Sequence, residues 1–139
     1  MSEERKARLR IVSKMTDPEG DVHTTKNARS GVFRRTADGL VLEYDDEQDG
    51  ERAHIVLTAN GGRARMQRRG MMSGVLTFLP GERVAGSYVS MYGEIPVAVS
   101  TRRVRLSEQE NGGVLLLDYD VYVSGERTSS AELEVTWRL

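Results

Sequence analysis

Gly113-Val114-Leu115-Leu116-Leu117-Asp118-Tyr119-Asp120-Val121-Tyr122-Val123 and, beyond Ser124-Gly125, Ser130-Ala131-Glu132-Leu133-Glu134-Val135-Thr136-Trp137-Arg138-Leu139 decide the fold. In the first stretch Leu115, Leu117, Tyr119, Val121 and Val123 fall on one face, with Asp118 and Asp120 on the other. In the second, Ala131, Leu133, Val135, Trp137 and Leu139 oppose Ser130, Glu132, Glu134, Thr136 and Arg138. A two-residue period is that of a half-buried strand, and the Ser-Gly pair between the stretches supplies the backbone freedom of a tight turn.

Working back along the chain, the same pattern recurs. Leu40, Leu42 and Tyr44 oppose Val41, Glu43 and Asp45, and Ile55, Leu57 and Ala59 oppose His54, Val56 and Thr58. Turn signals stand at Asp38-Gly39, Asp49-Gly50, Asn60-Gly61-Gly62, Pro80-Gly81, Tyr92-Gly93, Asn111-Gly112-Gly113 and Ser124-Gly125. Their spacing, mostly roughly 10 to 12 residues, is the rhythm of short antiparallel strands joined by hairpins. The segment Arg5–Met15 alternates Ala7, Leu9, Ile11 and Met15 like a strand although it is rich in helix formers, and we read it as a strand ended by Thr16-Asp17-Pro18-Glu19-Gly20-Asp21. About eight to ten strands with one apolar face must stack as a sandwich or close as a barrel, and closure removes the exposed edges. The expected fold class is all-β, a single closed antiparallel β-barrel in one domain over residues 1–139.

Composition narrows the function classes. Twenty Lys and Arg against 21 Asp and Glu leave a net charge of −1, so whole-molecule attraction to nucleic acid or to an anionic membrane is not expected. The absence of cysteine removes disulfides, thiol nucleophiles and thiolate metal sites, and fits a reducing compartment. A charged N-terminus without an apolar run gives no support to a signal peptide, and no stretch is apolar enough to span a membrane as a helix. The cytoplasm is the expected location.

Motifs of common chemistry fail one by one. Asp45-Asp46-Glu47-Gln48-Asp49-Gly50 imitates the start of a calcium loop, but its twelfth position is Val56, and we read a solvated acidic turn. Ser73 in Gly70-Met71-Met72-Ser73-Gly74 lacks the glycine spacing of a nucleophile elbow. His23 and His54 are far apart and read as surface residues, so no metal site is expected. No phosphate-loop or dinucleotide fingerprint is present, and no cofactor is expected.

Arginine is the unusual feature: it supplies 17 of the 20 basic residues, clustered at Arg34-Arg35, Arg63-Ala64-Arg65, Arg68-Arg69 and Arg102-Arg103-Val104-Arg105. Most of these read as surface charges paired with the acids. Parity makes an exception. Ala64 and Met66 carry Arg68 onto the inward face, where a guanidinium needs a carboxylate, polar partners or an anionic ligand. Thr101 follows Val97 and Val99 inward, as does Arg103 unless a bulge intervenes, and Tyr88 and Tyr92 lie close in sequence. A structural polar cluster weighs somewhat more than a ligand site in this reading.

Arg68-Arg69-Gly70, Met72 to Phe78, Tyr88-Val89-Ser90-Met91-Tyr92-Gly93 and Thr101 resemble the R-x-G, F, Y-x-T-x-x-G and T pattern of the YwiB-like bacterial family. Gly31-Val32-Phe33 with Asp38 to Tyr44 is similar to that family's first hairpin, and Leu115 to Tyr119 to its penultimate strand. Ser90 stands where the family pattern has Thr and keeps the hydroxyl. The resemblance implies a calycin, or lipocalin-like, barrel of about eight strands and implies no particular activity.

The leading functional expectation is a non-enzymatic barrel binding a small anionic or amphipathic molecule in its interior, oriented by Arg68, Tyr88, Tyr92, Thr101 and Arg103, with Trp137 and Tyr119 among the apolar walls. The alternative is an interaction module, for nucleic acid or protein, that uses surface arginine clusters on a filled barrel. An enzyme would need a carboxylate such as Glu94 or Asp120 facing a cleft, whereas Asp118 and Asp120 read as solvated. A homodimer is compatible with a barrel of this size.

Overall fold

The structure, a computed structural model, describes residues 4–48 and 50–139. Ten strands follow one another as β1 (Arg5–Thr16), β2 (Val22–Thr36), β3 (Gly39–Gln48), β4 (Glu51–Asn60), β5 (Arg63–Gly70), β6 (Ser73–Phe78), β7 (Arg83–Ser90), β8 (Gly93–Gln109), β9 (Gly112–Val123) and β10 (Glu126–Arg138). Each pairs antiparallel with its neighbours in sequence, and β1 pairs with β10 from Arg8↔Arg138 to Thr16↔Ser130, closing the barrel. The segment rich in helix formers is therefore a strand, with partners on both edges. Tertiary pairing and its apolar alternation override local propensity there. No helix of the described residues is long and apolar enough to cross a membrane.

The expected inward residues form the core. Leu9, Ile11, Leu42, Ile55, Leu57, Leu115, Leu117, Leu133 and Val135 are buried, and the alternate positions of the same strands are on the outer face, where Val41 is covered and most others are at least partly exposed. At the end of the barrel that carries the β2–β3, β4–β5, β6–β7 and β8–β9 turns the interior is filled with side chains. Phe33 stacks on Trp137 with ring centroids 6.2 Å apart, and Phe78 meets Tyr119 edge-on at 4.8 Å. The small inward residues Ala7, Ala59 and Ala64 are buried in the same cluster as these large rings, which is how a narrow barrel is filled without voids.

Two irregularities matter for the site. The β8–β9 ladder steps from Thr101↔Tyr119 to Arg103↔Asp118, so Arg102 is an extra residue in β8. A bulge of this kind exchanges the faces of everything beyond it. The second is the seam between β6 and β7, which pair at only two positions, Ser73↔Val89 and Gly74↔Tyr88.

Gly113 shows how tightly the filled end is built. A methyl group there would lie 2.5 Å from Cζ2 of Trp137 and 2.5 Å from the carbonyl oxygen of Ser107. Neither neighbour can yield cheaply, since one is a stacked ring and the other backbone. Gly113→Ala is expected to destabilise the barrel by about 1 to 3 kcal/mol, the range for overpacking a filled core. Urea unfolding followed by the fluorescence of Trp137 measures this directly, and an unchanged midpoint would contradict the packing described.

Candidate functional site

Around the other end, one row of direct cross-strand partners crosses seven strands: Gly31, Tyr44, Ile55, Arg68, Gly74, Tyr88 and Ile95. Residues that are directly opposite share a face, so the buried side chains of Tyr44 and Ile55 fix the whole row as inward. Arg68 is half-buried on this row, as its parity with Ala64 and Met66 predicts. Gly74, between Arg68 and Tyr88, makes space: a methyl group at Gly74 would lie 2.2 Å from Cδ1 of Tyr88. The Tyr88 ring therefore lies over the glycine, toward the strand of Arg68.

The charges here are unequal in their partners. Arg29, on the inward face of β2 opposite Leu9, donates from Nε and Nη2 to Oδ1 of Asp46 at 3.2 and 3.1 Å, and from Nη2 to the carbonyl of Glu47 at 3.2 Å. Asp46 in turn is opposite the buried Ala53. Arg68 has no ion pair and no hydrogen-bonded partner among the described residues. A half-buried guanidinium lacking a counter-ion is costly, and the neighbouring phenols feel it. Burial raises the Tyr44 phenol above its ordinary range, Asp46 adding to the rise while Arg29 and Arg68 oppose it. Burial also raises Tyr88, again against the pull of Arg68. Tyr119 is pushed up to about 12 by burial and by Tyr88. All three are neutral hydrogen-bond donors at physiological pH.

Thr101 belongs to the same interior wall through Tyr119, its direct partner on β9. Its side chain is buried and Oγ1 has no hydrogen-bond partner, a rare condition for a buried hydroxyl. The structure thus brings Arg68 and Tyr88 together and links Thr101 to them by way of Tyr119.

Two expected members are elsewhere. Tyr92 is 90% exposed at the β7–β8 turn, where its N–H donates to Oγ of Ser90 at 3.1 Å. Proximity in sequence to Tyr88 placed it wrongly, because the strand ends before it. Arg103 is exposed on the outer face opposite Asp118, since the extra residue Arg102 reverses the parity counted from Val97 and Val99. Arg29, Asp46 and Tyr44 are the members that sequence reasoning missed. The signal was available, for alternation carried past Tyr44 reaches Asp46, and carried back from Phe33 through Gly31 reaches Arg29.

The remaining candidates are structural. Oγ of Ser73 accepts from the N–H of Gly70 and donates to its carbonyl, each at 3.1 Å, so the hydroxyl closes its own turn. Of the imitation calcium loop, Asp49 lies outside the described residues. Asp46 faces inward to Arg29 rather than to solvent, and Asp45 is bonded to His54. Asp118 and Asp120 are not solvated: Nη2 and Nη1 of Arg102 reach Oδ1 of each at 2.7 Å. Partial burial would raise the Asp120 carboxyl, but Arg102 and Ser130 outweigh it and hold it below the usual carboxylate range. Arg34 and Arg35 are paired with Glu43 and Glu108, as the surface reading of those clusters expected. Glu94 is exposed.

The cavities at this end are open clefts. One, of about 930 Å³, runs from Arg29 and Asp46 past Ala53 to Arg52 and Arg69. Another, of about 570 Å³, lies on the outer surface of the weak β6–β7 seam, lined by Gln67, Arg69, Val75, Ala85 and Val89 and reaching the backbone strip of Arg68 and Gly74.

The family described as a domain of unknown function, DUF1934, matches residues 9–135. The chain belongs to the DUF1934 family. It is 20% identical over 137 residues to the uncharacterized beta-barrel protein YwiB of Bacillus subtilis (strain 168), a match covering 99% of this chain and 96% of YwiB. The crystal structure of YwiB from Bacillus subtilis superposes with a TM-score of 0.87 at 19% identity, over 97% of this chain and 92% of that one. The barrel is thus the fold of a solved relative, and its ten strands fall within the eight to ten expected from the alternation, above the about eight that the resemblance implied. The motif residues of this DUF1934 chain have physical roles. Arg68 faces the interior, and Gly70 lies against the carbonyl of Arg52, where a methyl group would be 2.7 Å from the oxygen. Tyr88 faces inward, while Ser90 caps the turn that Gly93 makes at a φ of +121°.

His54 gives the outer surface a pH dependence. Its Nδ1 lies 2.7 Å from Asp45 and its Nε2 2.6 Å from Glu43, and the two bonds raise the imidazole above 6.5. The folded-state value is the higher one, so this stabilisation is complete below 6.5 and is lost as pH rises through the raised value. The urea midpoint is expected to fall across that upward window in the natural chain and to change less in His54→Gln. A pH profile that is identical in the two would refute the coupling.

Proposed function

We propose that this DUF1934 barrel is a non-enzymatic binding protein that holds a small anionic or amphipathic ligand at its open end, with Arg68 as the charge that receives it. The observation that carries this reading is an inward guanidinium with no counter-ion among the described residues. Natural chains retain such an unfavourable group where function needs it, at a cost in stability. Tyr44 and Tyr88 flank it with neutral hydroxyls suited to orienting an anion. These groups are poor bases, and Asp46 is already engaged by Arg29, which favours binding over acid–base catalysis. The filled opposite end restricts the site to the mouth and upper interior. The cysteine-free composition supports a cytoplasmic setting for this role.

Native mass spectrometry of the protein purified from its own host tests the reading, with Arg68→Met as the comparison. The natural chain is expected to carry one small molecule per chain, and the variant none. If Arg68 is an uncompensated interior charge, Arg68→Met also raises the stability of the empty protein, by about 1 kcal/mol. No bound species in the natural chain, or equal retention by the variant, would overturn the proposal.

A further inference from the structure

The site's charge balance and its rim together define a ligand class, an inference that rests on the binding role proposed above. Among the described residues, the partly buried inward charges at the open end are Arg29, Asp46 and Arg68, of which the first two neutralise each other, while Glu51 and Glu126, on the same face by register, are exposed at the β3–β4 and β9–β10 turns. One positive charge remains, with neutral phenols beside it. A monoanion completes this balance; a dianion leaves one charge uncompensated near Asp46. The planar fork of a guanidinium matches a carboxylate, which accepts two parallel hydrogen bonds from it.

The rim indicates what is attached to that carboxylate. The β5–β6 turn exposes Met71 and Met72, and the β7–β8 turn exposes Met91 and Tyr92. These two turns cap the strands of Arg68 and Tyr88, and the β6–β7 seam joins them through Ser73↔Val89. Val75 and Val89 continue the exposed apolar surface down the outside of that seam. Methionines adapt to flexible apolar groups. Below the row of Arg68, the core formed by Leu57, Phe78, Leu117 and Tyr119 is closed, so an apolar tail has no way further in. We infer that the ligand is an amphipathic monocarboxylate, its head on Arg68 and its tail lying outward across the methionine rim. Asp46 is then a specificity-determining residue: by neutralising Arg29 it sets the number of charges the site accepts.

Isothermal titration of the full, delipidated chain at pH 7.5 with decanoate, decyl phosphate and butyrate, all below their micellar concentrations, tests this. Decanoate is expected to bind at least about tenfold more tightly than either decyl phosphate, predominantly a dianion at this pH, or butyrate, which has the head without the tail. Asp46→Asn is expected to shift the preference about tenfold toward decyl phosphate by freeing Arg29. The double variant Met71→Ser, Met91→Ser is expected to weaken decanoate and leave butyrate unchanged. Decyl phosphate binding the natural chain as tightly as decanoate would overturn the inference and leave the binding role standing, and that comparison needs no variant to fold. Neither amphiphile binding, or Arg68→Met leaving both unaffected, would remove the binding role itself.

Discussion

Closure of the sheet on itself is the constraint from which the other features follow. Nine residue pairs between β1 and β10 turn a meander into a ring. In a ring every strand has an inside, and the two-residue period leaves each side chain only two directions. Inward positions then share a small fixed volume, so that each must be apolar and well packed, or polar and matched. Small residues occupy places where a neighbour's ring must lie, as Gly113 does for Trp137 and Gly74 for Tyr88.

Within that volume the barrel is divided. The Phe33–Trp137 stack and the Phe78–Tyr119 contact belong to a hydrocarbon core, whereas the other end presents an ion pair, phenols and a guanidinium with no counter-ion among the described residues. Outside, Arg34, Arg35 and Arg102 have carboxylate partners and contribute the modest stabilisation usual for surface pairs. Arg68 is of the same residue type but differs in direction, and direction alone changes its meaning. A solvated arginine is ordinary; an inward one demands a partner.

Alternation made most of this legible in the sequence. The inward identity of Arg68 followed from Ala64 and Met66, and that of Thr101 from Val97 and Val99. The count failed where the backbone departs from its period. Nothing in Thr101-Arg102-Arg103-Val104 marks Arg102 as an extra residue, and with it the direction of Arg103 reversed. Tyr92 shows a second limit, since closeness along the chain says little about direction once a strand gives way to a turn. Arg29 and Asp46 illustrate the third. Each looks like a surface residue among polar neighbours; alternation carried on from Tyr44 and back from Phe33 sets both inward, but only the register of β2 on β3 shows that the positive and the negative charge meet in one place.

The β1–β10 ladder also fixes the order in which the barrel can be made. Strands β1 to β9 are translated before β10, and until β10 follows them the outer edge of β1 has no partner in the barrel. Until then Leu9 and Ile11 face a half-built interior, and the free edge of β1 is a template for any passing strand. The alternation of Arg8, Arg10 and Lys14 along the outer face of β1 sets positive charge beside that edge. Like charge of this kind disfavours pairing of that edge with a second copy of the same strand.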